Sequence, residues 1–277
     1  MTTFDTWYQQ LINNILINGV EEINERTGFK TKIITGVSGS FRTADGFPAL
    51  TLRKIPVKLF VAEQVWYLQG KRELDFFQQF SKIWDDFKDD DGNTVESGYG
   101  YRWRNFFKRD QIEGLVTMLQ NEPSSRQGVV ITWDPNTDGL ASAKKKNVPC
   151  VPMFVVNIVG GELNLHFLFR SNDVMLGLPH DMAGFALLQL ILAQKLGVKP
   201  GWLYYSGTHC HIYENHYEQA GDLASRTQHH AEIILNLPEN SYERAIAEDA
   251  SLVEEITENI LLQYQPLGKV KPMKIAL

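Results

Sequence analysis

Apolar positions recur at helical spacing from the start of the chain. Phe4, Trp7, Tyr8, Leu11, Ile12, Ile15 and Leu16 line one face behind Thr2 and Thr3, either of which can cap the helix. The spacing then shortens, and Lys30 to Thr35 alternates as a strand does. Ile55 to Leu68 returns to a helical pattern that Gly70 ends. From Phe80 to Arg104 no period holds, and the acidic run Asp89-Asp90-Asp91-Gly92-Asn93 reads as a solvated turn. Val129 to Trp133, Met153 to Val159 and Leu163 to Phe169 are β-branched or aromatic runs of strand length, the last two joined through Gly160-Gly161 as a hairpin. Met182 to Leu196 is a long apolar helix with Gly197 as its stop and Pro200 beyond it, and Trp202 to Ser206 is a further strand. Phe185 to Ala193, interrupted by Gln189, is too short for a membrane span and predicts a buried helix. Strands and helices mix without regular βαβ alternation, so the fold class is α+β.

A length of 277 residues with 43% hydrophobic residues suffices for one large core, and residues 1–277 are read as a single domain. The net charge of -6 argues against a nucleic-acid surface, so DNA is not an expected partner, and an anionic ligand has to be met by a local group of arginines. Cys150 and Cys210 make no disulfide framework and no leader pattern opens the chain, which together predict a cytoplasmic protein without a membrane partner. No metal site is expected: His229-His230 lacks spaced partners and reads as surface.

The chemistry gathers late in the chain. Val148-Pro149-Cys150 is followed by Arg170-Ser171-Asn172-Asp173 and then by Gly177-Leu178-Pro179-His180-Asp181. This ordered set resembles the active-site core of the thymidylate synthase family. Other blocks appear in family order: Arg26-Thr27-Gly28 and Asp45-Gly46-Phe47-Pro48, similar to a phosphate loop and the strand after it, then Glu63-Gln64-Val65-Trp66 and Ile83-Trp84-Asp85. Tyr99-Gly100-Tyr101-Arg102-Trp103-Arg104, Pro123-Ser124-Ser125-Arg126 and His211-Ile212-Tyr213-Glu214-Asn215-His216 continue it. The resemblance implies a thymidylate synthase-like fold, with a large mixed sheet at a back-to-back homodimer interface and helices around it. It also implies a pyrimidine nucleoside monophosphate as substrate and 5,10-methylenetetrahydrofolate as co-substrate.

Roles follow residue by residue from the same resemblance. Cys150 is the nucleophile that adds to C6 of the base. An ordinary thiol, with a pKa of roughly 8.5, needs cations nearby to act so, and Arg170 and Arg126 are the candidates. From composition alone, a cysteine is more often a core residue, which is the reading kept for Cys210. Arg26, Arg126 and Arg170 resemble phosphate-binding arginines, whose planar forks suit phosphate oxygens, with Arg126 reaching across from the neighbouring subunit. Gln127 stands where the family carries a further arginine. Glu63 resembles the proton-relaying glutamate; a carboxyl in an apolar pocket has a raised pKa, whereas an unremarkable helical glutamate is exposed. Tyr99, Ser171, Asn172 and Asp173 fall with the substrate, and His211 and Tyr213 with its sugar. Trp84, Asp173, Gly177 and the terminal Leu277 fall with the folate, over which the tail Met273-Lys274-Ile275-Ala276-Leu277 closes.

The informative departure is Asp181, where thymidylate synthases carry Asn. An Asp just ahead of a long helix is also a favoured N-cap, but Asn caps about equally well, so helix stability does not explain the change. Base selection does. An amide matches the N3–H donor and O4 acceptor of uracil, whereas cytosine presents an N3 acceptor and an N4 donor, which a carboxylic acid can meet. A carboxylate does the same for N3-protonated cytosine, and an ionised Asp against O4 leaves polar groups unpaired. Val151 replaces the family's His and His180 its Phe. With Arg170-Ser171-Asn172-Asp173-Val174, these residues look more like the deoxycytidylate hydroxymethylases. The expected activity is therefore folate-dependent hydroxymethylation at C5 of dCMP, with Cys150, Glu63 and Asp181 as catalytic residues. The alternatives are a dCMP C5-methyltransferase, a thymidylate synthase acting on dUMP, and a non-catalytic nucleotide- or RNA-binding regulator.

Overall fold

In the computed structural model, residues 2–25, 27–140, 147–227 and 230–274 are described. Helix α1 (Thr3–Asn18) starts at a reciprocal cap in which the Thr2 hydroxyl accepts from the Asp5 backbone N–H and the Asp5 carboxylate accepts from that of Thr2. Strands β1 (Val20–Ile23), β2 (Lys30–Ile34) and β3 (Val37–Arg42) follow, then α2 (Val57–Gln69), which stops at Gly70 in the left-handed conformation. Two short 3-10 turns follow, Phe77–Gln79 and, inside the aperiodic stretch, Ile83–Phe87, then α3 (Tyr99–Tyr101) running into a π turn at Arg102–Phe106. Next come α4 (Gln111–Asn121), β4 (Val129–Ile131), the β5 (Met153–Val159) and β6 (Glu162–Phe169) hairpin, and β7 (Asn172–Asp173). The chain continues with α5 (Gly177–Leu196), β8 (Lys199–Gly207), β9 (Cys210–Tyr213), α6 (Tyr217–Ser225), α7 (Ser241–Ile246) and α8 (Ala250–Leu261).

The strands form two mixed sheets, in the orders β1-β2-β9-β7 and β3-β8-β6-β5-β4. β6 and β8 run parallel, the geometry that the α5 crossover between them permits. Helix α5 is apolar around its circumference because it is enclosed, packing on α2, β6 and β8. Its one interior polar interruption is fully used. Gln189 accepts from the Thr43 hydroxyl at 2.9 Å and donates to the carbonyls of Leu163 and Trp202 at 2.8 and 3.1 Å.

Several sequence expectations need correction. Helix α5 begins at Gly177 and not Met182, with Leu176 at its cap, so Asp181 lies inside the helix and caps nothing. Pro179 falls in the first turn, where its missing N–H has no intrahelical partner to lose. Asp45-Gly46-Phe47-Pro48 is not a strand but a turn after β3, held by a single bridge from Phe47 to Ile233. Pro200 lies within β8 rather than in a loop. His230 is half-buried, with Nε2 enclosed, rather than on the open surface; His229 lies outside the described residues.

Truncating Leu188, which is completely buried in α5, is expected to cost about 2–5 kcal/mol, since it removes transfer energy and leaves a cavity. Leu262→Ala, at a residue 82% exposed, is expected to stay within about 0.5 kcal/mol. Urea denaturation of both variants checks the contrast.

Candidate active site

The half-exposed thiol of Cys150 sits on the irregular segment leading into β5. That segment is strapped to the end of β6: Arg170 N donates to the Cys150 carbonyl at 2.9 Å, Arg170 Nε to Pro149 O at 2.8 Å, and Nη2 to Val148 O at 3.0 Å. The same Nη2 lies 4.0 Å from Cys150 Sγ. Within one chain, Arg170 is therefore the arginine beside the thiol. Arg126 is exposed in the turn between α4 and β4. On the other side of the cysteine, Val151 N donates to the Tyr99 hydroxyl at 3.3 Å. The Val151 side chain is fully buried in the core.

Two carboxyl groups share these surroundings, neither with a cation at salt-bridge distance among the described residues. Glu63, on α2, is not an exposed helical residue: its Oε1 accepts from Trp84 Nε1 at 2.7 Å. Burial drives its pKa up to about 7, a rise that the Trp84 bond opposes. Asp181, on α5, is pushed well above the usual carboxylate range, first by burial and then by the charges of Glu63 and Asp173. Tyr67 and Tyr99, with rings 5.4 Å apart, are likewise raised by burial. Tyr67 also feels Glu63 and Asp181, and Tyr99 feels Cys150 and Asp181. One chamber thus holds a thiol, two carboxyls and two phenols. It suits chemistry in which carboxylic acids stay protonated near neutral pH and exchange protons with a ligand.

Gly177 explains how Asp181 fits against β7. A β-carbon on Gly177 would stand 3.3 Å from Asp181 Oδ2 and 3.9 Å from Asn172 Nδ2. Asn172 is buried and oriented by Tyr205, whose hydroxyl donates to its Oδ1 at 3.1 Å and also meets Cys210 Sγ at 3.1 Å. Cys210 is a buried core residue. Asp173 caps the entry to α5, its Oδ1 accepting from Met175 N at 2.9 Å and Leu176 N at 3.2 Å. Burial raises its pKa against those bonds. Ser171 is half-buried between these residues and Arg170.

His211 and Tyr213 lie together on β9, both buried, with ring centroids 4.9 Å apart. His211 Nδ1 is 3.3 Å from His209 Nδ1. Arg26 and Leu277 lie outside the described residues, as do residues 275–277 of the tail. The tail up to Lys274 reaches the site's rim, where the Lys274 carbonyl is 2.9 Å from the fully buried His216.

A family model for thymidylate synthase matches residues 6–274. The chain belongs to the thymidylate synthase family. That makes it a folate-dependent transferase of one-carbon units to C5 of a pyrimidine nucleotide, and gives meaning to the chamber around the thiol. The family's co-substrate, methylenetetrahydrofolate, carries a flat heterocycle with a polar edge, and the residues present fit one. Trp84 is half-exposed, and Arg53 Nε and His180 Nδ1 are buried without a hydrogen-bond partner among the described residues. Burial, with the charge of Arg53, holds His180 down to about 4, so its ring is neutral near pH 7. No described helix is long and apolar enough to cross a membrane.

Sequence reasoning missed Tyr67, Tyr205, Arg53 and Trp133. Tyr67 was legible, one turn after Glu63 on the same helical face. The others come from distant segments and carried no local signal.

Glu63 supplies a pH test. Its folded pKa of about 7 lies above the ordinary 4.5, so the folded state retains a proton that the unfolded chain has released between those values. Stability therefore falls as pH rises across that window, and the loss is complete above it. Glu63→Gln is expected to stabilise the protein by about 1–3 kcal/mol at pH 8 and by little at pH 4.5, measured by chemical denaturation at both values.

Proposed function

We propose that this member of the family hydroxymethylates dCMP, using methylenetetrahydrofolate, and that Asp181 selects cytosine. The observation that carries the reading is a carboxyl, in place of the family's amide, in a desolvated chamber that keeps it protonated well above its ordinary range. As an acid it donates to cytosine N3 and accepts from N4; with the proton on N3 it serves as the carboxylate. Either way, one shared proton closes the pair.

The remaining roles combine that geometry with the family resemblance. Arg170 braces the Cys150 thiolate, whose sulfur adds to C6 and makes C5 nucleophilic. When bound, the folate supplies the one-carbon unit. Glu63, with a pKa of about 7 and Trp84 fixing one oxygen, is suited to removing the C5 proton through water. That loss frees the one-carbon unit from its folate nitrogen, water adds at the carbon so exposed, and the thiolate leaves C6. The neutral His180 ring beside Asp181 in sequence provides a polar group where the family's Phe would exclude water. Arg170 Nη1 makes no hydrogen bond among the described residues and would meet phosphate, together with Arg26 and a partner subunit's Arg126. Ser171, Asn172 and Tyr99 line the nucleotide, His211 and Tyr213 hold the sugar, and Trp84, Asp173, Gly177 and Leu277 meet the folate. Residues 1–277 act as one catalytic domain.

A homodimer is supported by the five-stranded sheet. Its outer face exposes Trp202, Tyr204, Val129 and Ile131, and a concavity of about 770 Å³ opens between α1 and strands β3 and β8. Apolar side chains and a broad, open hollow away from Cys150 suit a protein partner better than a nucleotide. Arg126 sits just before β4, at the edge of this sheet.

Base selection is tested by kcat/KM. The wild-type protein is expected to prefer dCMP to dUMP, and Asp181→Asn to shift the ratio towards dUMP by at least about tenfold, the scale of one mispaired buried polar group. The wild-type KM for dCMP is expected to rise as alkaline pH removes the shared proton. An unchanged ratio in Asp181→Asn refutes the assignment.

The fate of the one-carbon unit is tested by weighing the product. dCMP and methylenetetrahydrofolate are expected to give hydroxymethyl-dCMP and tetrahydrofolate. Methyl-dCMP with stoichiometric dihydrofolate would make the enzyme a methyltransferase.

A further inference from the structure

Arg170 is held from a second direction, by a residue outside the motifs quoted above. Its guanidinium carbon stands 5.4 Å from the centre of the Trp133 ring, within cation–π range. Trp133 is itself fixed closely. Gly139, at a φ of 52°, packs so tightly on the ring that a β-carbon there would stand 2.5 Å from it. The preceding residue, Thr132, is fully buried and accepts from Trp103 Nε1 at 2.9 Å.

The loop carrying Trp133 and Gly139 is built around a buried ion pair. Arg102 Nη1 and Nη2 donate to Asp138 Oδ2 and Oδ1 at 3.1 and 3.2 Å, and both side chains are completely enclosed. Asp138 Oδ2 also accepts from Asp134 N at 2.9 Å, which closes the turn. Arg102 Nε donates to Glu96 O at 2.9 Å, and the guanidinium lies 3.9 Å from the Phe106 ring centre. Both anchors, Arg102 and Trp103, come from the π turn that follows Tyr99, the residue whose hydroxyl meets Val151 N. Such turns concentrate at functional sites, where they re-aim consecutive side chains.

We propose that Trp133 is a positioning residue for Cys150: its ring holds the Arg170 guanidinium beside the sulfur, and the buried Arg102–Asp138 pair holds the loop that carries the ring. A guanidinium bonded to two carbonyls at its Nε and Nη2 edge can still swing about its stem. A flat aromatic surface against one face removes that freedom, while an aliphatic side chain of similar bulk supplies no attraction for the cation. The arrangement keeps positive charge 4.0 Å from the thiol and so favours the thiolate.

The proposal's catalytic meaning rests on Cys150 being the nucleophile, but its test does not. Alkylation of Cys150 by iodoacetamide, quantified by peptide mass mapping from pH 6 to 10, needs no nucleotide and is distinguished from reaction at the buried Cys210. Trp133→Leu is expected to slow alkylation near pH 7 by roughly three- to tenfold and to move the pH profile upward, while Trp133→Phe stays within about twofold of wild type. A purely structural role would lower the melting temperature and leave the profile where it was; a folded Trp133→Leu with an unshifted profile overturns the proposal. If Trp133→Leu does not fold, Trp133→Met takes its place under the same criteria. Release of tritium from C5 of dCMP by Cys150→Ala, measured alongside, separates the two ideas: persistent release overturns the nucleophile and leaves the alkylation result to decide the role of Trp133.

Discussion

The chamber depends on the close crossing of α2 and α5. Gly184 lets α5 approach so near that a β-carbon in its place would stand 2.7 Å from Gln64 Nε2. Glu63 precedes that glutamine, and Asp181 lies one turn before that glycine. The crossing therefore sets two carboxyls near each other in a space where both helices displace much of the surrounding water, each side chain staying partly exposed. Neither has a cation at salt-bridge distance among the described residues, so desolvation favours the protonated form of each, and the charges of Glu63 and Asp173 add to it at Asp181. An active site of this kind lowers the stability of the fold and uses what it loses as acid and base capacity.

The opposite electrostatic arrangement holds at the thiol. Positive charge from Arg170 is bound to the backbone carbonyls of Val148 and Pro149, just ahead of Cys150, and backed by an aromatic ring. The site is thus divided, with a cationic end that suits a thiolate and a phosphate, and a neutral acid end that suits the edge of a base. A pyrimidine nucleotide, with phosphate at one end and a base at the other, matches that division. The two ends are joined through Tyr99, which feels both Cys150 and Asp181.

The sequence reading succeeded where the signal is periodic and local. The capped first helix, the stop at Gly70, the β5–β6 hairpin and the enclosed α5 all follow from spacing and turn residues. It failed at the start of α5, because Gly177 and Pro179 look like breakers, although a first turn tolerates proline and the glycine is needed for clearance of Asp181. Helices α4, α6, α7 and α8 were left unassigned. The anchors from Arg102 and Trp103 were also missed, since their partners Asp138 and Thr132 are far along the chain.

By itself, then, the sequence determined the element types, the ordered motifs that mark the family, and the identity of Asp181. Those are properties of residue type and spacing, which the chain carries in one dimension. Only the tertiary structure decided that Asp181 sits inside a helix rather than capping it, that Glu63 titrates near neutrality, and that Arg170 stands at the thiol of its own chain. Each of those depends on which groups distant segments bring near and how much water they displace, and a pKa or an ion pair is fixed by that surrounding medium.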